Sequence, residues 1–197
     1  MVKEKNSLVK IYSDCWEYIR SSKNYIWFVL WIFVIFALIG GLFPASSELT
    51  NLISEMLQKL SAETSGFTNV FQWIFYLFKN NILASFFGLI SGVFLGFWPI
   101  LASVVNGYLV GFVGKFAIST SGIFVLWKLF PHGIFELPAL FISLGLGVKL
   151  GSFIFQKKKV DSLKYYFWMS LKVFIFVVIP LLIVAAIIEG SLIFYLS

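Results

Sequence analysis

The residues best suited to chemistry in this chain lie in one short stretch, from Phe130 to Pro138. The stretch contains the chain's single histidine, His132, and an acidic residue, Glu136, four positions later. If Glu136 opens a helix, the two side chains share one helix face and form a pair able to titrate near neutral pH. Chargeable groups surrounded by apolar sequence are costly and usually functional. The first question is therefore whether this pair does chemistry or only fixes a fold.

The residue types give little support to either metal-dependent or nucleophilic catalysis. A catalytic zinc site needs about three protein ligands, whereas the apolar part of the chain offers His132, Glu136 and Glu189 and no His-Glu-x-x-His motif. The single cysteine, Cys15, excludes an intrachain disulfide, and we expect it to lie outside the core. We therefore predict a protein that is not an enzyme and that has no catalytic residue, metal or cofactor.

The composition is that of an integral membrane protein. Hydrophobic residues make up 60% of the chain and charged residues 12%, against about 45–50% and 25% in soluble domains. The net charge of +6 does not indicate nucleic acid binding, because the lysines lie at the ends of apolar segments. In that position they meet lipid headgroups, so we expect membrane lipids as partners. The first apolar run is too long for a signal peptide and is expected to be an uncleaved anchor.

Two segments outside the predicted spans have amphipathic patterns. Residues 1–24 predict a cytoplasmic amphipathic helix, which either lies flat on the membrane or packs beneath the bundle. Residues 25–197 then form a single transmembrane bundle. Ser47 to Gly66 predicts a second, acidic amphipathic helix, and Phe67 to Phe78 is too short to span a bilayer. We expect residues 45–79 to form an outer interfacial region.

The apolar runs predict an all-α integral membrane protein with five transmembrane helices plus interfacial and re-entrant short helices. The run from Ile82 to Phe116 is too long for one span, and we place its turn at Trp98-Pro99 because proline cannot continue a helix hydrogen-bond ladder. Residues 123–133 are expected to be re-entrant. The predicted spans are residues 25–43, 82–98, 100–116, 134–155 and 167–188.

Small residues recur at every fourth position in three predicted spans. Lipid provides no hydrophobic force between helices, so close backbone approach at small residues holds such bundles together. The pattern, a glycine zipper, indicates tight packing and not activity. The glycines predicted to pack are Gly88, Gly92, Gly96, Gly107, Gly111, Gly147 and Gly151.

The basic residues predict the orientation of the chain. The N-terminal segment and the loop from Lys157 to Lys164 hold most of the 15 Lys and Arg residues, which places the N-terminus in the cytoplasm and the C-terminus outside. Polar residues far apart in the sequence then lie towards the outer ends of their spans. The predicted polar intramembrane cluster consists of His132, Glu136, Glu189, Asn80, Asn81 and Asn106.

Two interpretations of this cluster remain open. In the structural one, His132 orients the start of a helix and Glu136 satisfies buried backbone or an asparagine of a neighbouring span. In the functional one, a broken helix forms an outward-facing pocket of the kind that transporters use. The sequence has no detectable inverted repeat, although a homodimer would supply a second half. Asn106 is expected to hydrogen-bond between helices and Lys149 to snorkel to the interface.

Four motifs point to a known family. They are Asn80-Asn81 before a glycine-striped span, Asn106-Gly107, the block from Pro131 to Ala139, and the ending from Pro180 to Glu189. Together they resemble the stage II sporulation protein M family over most of the chain. The resemblance implies a multi-pass protein of the engulfment machinery of spore-forming bacteria, which acts as a membrane scaffold for partners that remodel peptidoglycan. In relatives from organisms without spores it implies the fold and not the role.

We therefore predict a membrane scaffold or partner-binding protein of the cell membrane, a homo-oligomer whose other partners are membrane or envelope-remodelling proteins, with no nucleic acid partner. The alternative is a small transporter, channel or lipid-handling protein that uses the polar site around His132, Glu136 and Glu189.

The predicted orientation can be tested by cysteine labelling. We expect a cysteine introduced as Lys158→Cys to react with a membrane-impermeant maleimide only after cells are permeabilised. The matched control Lys59→Cys, on the opposite side, should react in intact cells. Labelling of Lys158→Cys from outside intact cells would overturn the orientation.

Overall fold

The computed structural model describes residues 2–43, 46–122 and 126–196. These residues form α-helices joined by short connections, without a β-strand among them. Their helices, in chain order, are α1 (Val2–Ser21), α2 (Lys23–Leu42), α3 (Ser47–Thr64), α4 (Val70–Ile90), α5 (Phe97–Ser121), α6 (Leu126–Gly151), α7 (Lys159–Val173) and α8 (Ile179–Leu196).

Five stretches of the described chain are long and apolar enough to cross a membrane, which confirms the number of such helices expected from the sequence. At about 1.5 Å per residue, the shortest of them, with 20 residues, extends about 30 Å, the thickness of a bilayer core. Helices α1 and α3 are not among these five stretches. The five stretches are Lys23–Leu42, Val70–Val93, Phe97–Thr120, Gly133–Phe155 and Lys159–Tyr195.

Helix α6 lies at the centre of the bundle. It contacts α2, α4, α5 and α8, while α2 pairs closely with α5 and α4 with α8. Its residues Leu144, Leu146 and Leu150 are completely buried. The bundle is therefore two helix pairs arranged around one central helix.

The helix pairs approach so closely that a β-carbon has no room at several glycines. A Cβ on Gly147 of α6 would lie 2.6 Å from the carbonyl oxygen of Gly88 on α4. A Cβ on Gly107 of α5 would lie 3.0 Å from Cα of Phe33 on α2. Two of the predicted glycine faces therefore meet backbone directly, which is the geometry that small residues permit in membrane bundles.

Two further close approaches involve glycines that the spacing argument did not select. Gly145 of α6 faces Cα of Ile26 on α2, where an added Cβ would lie at 2.7 Å. Gly190 of α8 faces the backbone nitrogen of Ile74 on α4, where it would lie at 2.8 Å. Neither has a glycine four positions before or after it, so a four-residue glycine repeat does not reveal it.

The predicted turn at Trp98-Pro99 is wrong by a few residues. After α4 a short 3₁₀ turn covers Ser91–Val93, and the chain reverses at Leu95 and Gly96, which have φ values of 59° and 72°. Pro99 lies in the first turn of α5, where a missing N–H is tolerated. Gly96 is therefore a turn residue in left-handed conformation, a role suited to glycine, and not part of a helical stripe.

Helix α4 begins twelve residues earlier than the predicted span. Asn69 and Gln72 form a capping box that starts the helix. The helix then continues through Lys79-Asn80-Asn81, because polar residues in a helix interior cost only tenths of a kilocalorie per mole, roughly 0.7 at most. The predicted separate segment from Phe67 to Phe78 is therefore mainly the first half of α4.

The predicted break around Pro131 and Pro138 is also wrong. Helix α6 runs without interruption from Leu126 through both prolines to Gly151. Residues 123–125 of the predicted re-entrant segment lie outside the described residues, and the remainder belongs to α6.

The last predicted span likewise extends in both directions, since α7 and α8 are joined by a π-helical turn, Phe174–Val178, just before Pro180. A π turn there accommodates the missing proline N–H.

Helix α1 packs against the bundle, which decides between the two placements considered from the sequence. Cys15 and Tyr18 are buried, at 0% and 3% exposure, in a cluster with Val173 of α7 and Leu182 of α8. The expectation that Cys15 lies outside the core is therefore wrong. The alternation of apolar and charged residues in α1 suits a membrane surface and a protein surface equally, and only the packing distinguishes them.

Substitution of Gly111 tests the close packing of α2 and α5. A Cβ at Gly111 would lie 2.8 Å from the carbonyl carbon of Ala37 and 2.9 Å from the nitrogen of Gly41. We expect Gly111→Ala to lower the free energy of unfolding by about 1–3 kcal/mol, because backbone cannot yield as a side chain can. Thermal unfolding in detergent measures this loss of stability.

Gly114→Ala, on the same helix with nothing within 4 Å, is the control and should leave stability unchanged or slightly raised. Equal melting temperatures for the two variants would contradict the packing argument.

Candidate functional site

Three polar residues from three helices meet inside the bundle. Asn81 of α4 lies beside the Glu136 carboxyl group on α6. Glu189 of α8 is close enough to Glu136 for their carboxyl groups to interact electrostatically. The structure thus brings together three of the six residues predicted to form a polar cluster.

The group lies well inside the helices and not at their ends. Asn81 follows the first residue of α4 by eleven positions, and Glu136 follows Leu126 by ten, so each is about 15 Å along its helix. The sequence suggested helix ends because the predicted spans began only at Ile82 and Ile134. Asn81 lies near the middle of the apolar stretch Val70–Val93, where a polar group is costly, whereas Glu136 lies three residues into the stretch Gly133–Phe155.

The other predicted members of the cluster lie apart from this group. Asn80 is exposed and faces Tyr76 on its own helix. Asn106 donates its side-chain N–H to the carbonyl oxygen of Ala102, 2.8 Å away on the same helix, so the expected bond between helices is absent there. The backbone of His132 is part of α6, but its side chain lies outside the described residues.

A groove of about 300 Å³ reaches Glu136 from the surface. Its walls are Leu109, Val113 and Gly114 of α5 and Gly133 and Leu137 of α6. Nearly all of the described lining is apolar, and among the described lining residues Glu136 alone has a charged group. The groove therefore connects the polar group with the outside of the bundle between α5 and α6.

One carboxylate oxygen of the group has no hydrogen-bond partner among the side chains and backbone that the structure describes. Atom Oε2 of Glu189 is buried and unpaired, and leaving such an atom unsatisfied is costly. Two neighbouring carboxyl groups and an amide can together hold a cation or share a proton. Among the residues that the structure describes, no group of three or more His, Cys, Asp or Glu side chains is arranged to hold a metal ion.

Lys149, at the other end of α6, is buried and does not snorkel. Only 7% of it is exposed. Its ammonium group donates to the hydroxyl oxygens of Ser21 at 2.9 Å and Ser22 at 2.8 Å, and lies 3.9 Å from the centre of the Tyr18 ring. Two hydroxyls and a cation–π contact thus replace water around the charge. The lysine thereby fixes the α1–α2 corner on the central helix, a role that its sequence position does not reveal.

The residues of α1 around this lysine are unsuited to nucleophilic chemistry. Burial raises the pKa of the Cys15 thiol, which keeps it in the weakly nucleophilic protonated form. Burial likewise raises the pKa of Tyr18 above its usual range, although the hydrogen bond between its hydroxyl and that of Ser170 opposes the change. Both side chains therefore act as neutral packing groups.

A salt bridge ties α1 to α7 beside these residues. Nζ of Lys172 lies 2.8 Å from Oδ2 of Asp14, and both side chains are about one-third exposed. The hydrogen bond from Lys172 lowers the pKa of Asp14 below its ordinary value of 3.8, with a smaller contribution from Lys10. The bridge is the one salt bridge among the side chains that the structure describes.

Comparisons with known proteins give one family match and one curated relative. The family model described as Stage II sporulation protein M matches residues 29–192 of the chain. An uncharacterized protein of Methanocaldococcus jannaschii is 32% identical over 131 residues, which are 63% of this chain and 57% of that protein. The chain thus spans little more than half the length of this curated relative. No solved structure matches the chain.

The Asp14–Lys172 salt bridge should make the docking of α1 dependent on pH. Because the folded-state pKa of Asp14 is lowered, its contribution to stability is present above 3.8 and is lost as the pH falls through the lower, folded-state value. We expect the difference in melting temperature between wild type and Asp14→Asn to be present at pH 7 and to shrink progressively as the pH falls below 3.8. Asp161→Asn, at an exposed carboxylate of α7, is the control and should keep the wild-type pH dependence. A wild-type advantage over Asp14→Asn that is constant with pH would contradict the assignment.

Proposed function

The chain belongs to the stage II sporulation protein M family, and on this premise we propose that it is a multi-pass membrane scaffold that binds a partner protein. In this proposal the five apolar helices lie in the cell membrane, with the N-terminus cytoplasmic and the C-terminus outside. The scaffold carries out no catalysis and needs no cofactor. It forms a homo-oligomer and engages other membrane or envelope-remodelling proteins.

The observation that carries the proposal is the unpartnered apolar face of α3. Leu52, Met56 and Leu60 follow each other at four-residue intervals, and between 45% and 63% of each side chain is exposed. The more extensive contacts between described elements do not involve α3. An exposed row of large apolar side chains is typical of a surface that a partner covers.

The charges of α3 favour a protein over the lipid surface as its partner. The helix carries Glu48, Glu55 and Glu63 against Lys59, whereas helices that lie on membranes are usually rich in lysine and arginine. A partner segment with apolar residues and a basic edge would match both features. The Tyr76 hydroxyl donates to Glu63 at 2.8 Å and holds the end of α3 on α4, so the face has a defined position.

The packing of the bundle agrees with a scaffold role. Helices whose backbones touch at glycines have little freedom to move relative to each other. A rigid bundle can hold α3 and the N-terminal helix in fixed positions on opposite sides of a membrane. This rigidity supports positioning of partners more than repeated opening and closing.

A second candidate function is favoured by the polar group inside the bundle. The unpaired Glu189 oxygen beside Glu136, with a groove leading to Glu136, is an arrangement that a small transporter or channel would use for a cation or proton. A homodimer would supply the second half of the path. Crosslinking in cells together with a flux measurement in proteoliposomes separates the two functions.

Site-specific photocrosslinking in cells tests the scaffold. With a photoreactive residue at Leu60, we expect a defined crosslinked partner in wild type and its loss in Leu52→Gln/Met56→Gln. The control Ser54→Gln/Ser61→Gln places the same side chains on the opposite face of the helix, where both serines are exposed, and should keep the crosslink.

Two results would contradict the scaffold proposal. One is an identical crosslink in both double variants, which would mean that the apolar face is not the contact. The other is a cation or proton flux into proteoliposomes of the purified chain that Glu189→Gln abolishes, combined with normal cell function of Leu52→Gln/Met56→Gln. The second result would support the transporter.

A further inference from the structure

A groove lies at the α1–α2 corner of the molecule, away from the polar group and from α3. It has a volume of about 610 Å³ and runs between the end of α1, the first turns of α2 and the middle of α6. This volume is in the range of sites that hold small molecules, about 300–1,000 Å³. The groove therefore has room for a hydrocarbon chain.

The groove changes from basic to apolar along its length. Arg20 and Lys23 line it where α1 ends and α2 begins. Leu30 and Pro138 line it deeper, and from Lys23 to Leu30 the helix rises about 10 Å. Because α2 enters its apolar stretch at Lys23, the basic end lies at the level of a membrane surface and the apolar end lies within the hydrocarbon.

The two cations at the mouth are available to a ligand. Both are exposed, and neither forms a salt bridge with a described side chain. They differ in this from Lys149 nearby, whose charge is already bound by Ser21 and Ser22. Trp16 and Trp27 flank the groove and are 68% and 54% exposed, and indole rings of this kind favour the headgroup region.

We propose that this groove binds an anionic phospholipid, with its phosphate between Arg20 and Lys23 and one hydrocarbon chain along Leu30, Pro138 and Phe141. A soluble anion would leave the apolar wall uncovered, and an apolar helix of a partner would leave two cations without a counter-charge. An acidic lipid satisfies both ends of the groove. The proposal rests on the membrane insertion in the proposed function, but not on the partner role of α3.

A lipid bound there would join the same elements that Lys149 joins from the inside. Its headgroup would contact the end of α1, while its chain would contact α2 and α6. The lipid would thus strengthen the attachment of the N-terminal helix to the bundle in membranes that contain acidic lipids. A membrane with only zwitterionic lipid would leave that attachment to Lys149 and the Asp14–Lys172 salt bridge.

Native mass spectrometry of the purified full chain tests the proposal, using delipidated protein offered dioleoyl-phosphatidylglycerol or dioleoyl-phosphatidylcholine. We expect one tightly retained phosphatidylglycerol per chain and no comparable retention of phosphatidylcholine. Arg20→Gln/Lys23→Gln should weaken retention about tenfold or more, because each basic residue next to an anionic headgroup contributes to binding. Leu30→Trp, which fills the groove while leaving both charges, should weaken it as well.

The control Lys157→Gln/Lys158→Gln removes two exposed charges from the loop before α7, outside the groove, and should retain the lipid as wild type does. Equal retention by Arg20→Gln/Lys23→Gln and wild type would overturn the proposal, as would equal retention of the two lipids. Displacement by glycerol phosphate alone would also overturn it, because the apolar wall would then contribute nothing. Leu52→Gln/Met56→Gln should bind lipid normally, so failure of the α3 partner function is distinguished from failure of the lipid site.

Discussion

The close approach of helix backbones around α6 is the constraint on which the rest of this structure depends. Water cannot drive apolar helices together inside a bilayer, so contact must come from packing and from polar groups between helices. At Gly107 and Gly147 the neighbouring backbone occupies the place where a Cβ would otherwise be. The Gly107 contact fixes α5 against α2 and the Gly147 contact fixes α6 against α4, and every polar group in the interior has to fit within that arrangement.

Two polar groups that include residues of α6 differ in how their charges are stabilised. Lys149 has its ammonium group surrounded by hydroxyls of the α1–α2 corner and the face of a tyrosine, which suits a fixed structural role. Glu136 and Glu189 leave one buried carboxylate oxygen without a partner and border a groove. The first group is satisfied within the chain, and the second is able to accept something from outside it. The contrast is the physical basis for treating the carboxylates as the second candidate site.

The surfaces proposed for binding lie outside the tightly packed interior. Helix α3 presents an apolar face on the side opposite the N-terminus, and the groove at the α1–α2 corner combines basic and apolar walls on the other side. A bundle with touching backbones provides fixed positions for both. In this view the interior supplies rigidity, while recognition belongs to amphipathic elements at the two ends of the helices.

From the sequence alone, apolar run lengths and composition determined the helical class and the five long apolar helices, because both depend on local patterns. The family followed from the resemblance of four short motifs, which are local as well. The glycine spacing likewise indicated close packing on α4, α5 and α6. Helix boundaries were less predictable, since Pro131, Pro138 and Lys79-Asn80-Asn81 are breaking signals that a longer packed helix overrides. Only the tertiary structure decided that Asn81, Glu136 and Glu189 meet while Asn80 and Asn106 do not, because the facing of side chains depends on helix rotation. It also decided that Cys15 and Lys149 are buried, since burial depends on which neighbour covers a face, and neither spacing nor hydropathy contains that information.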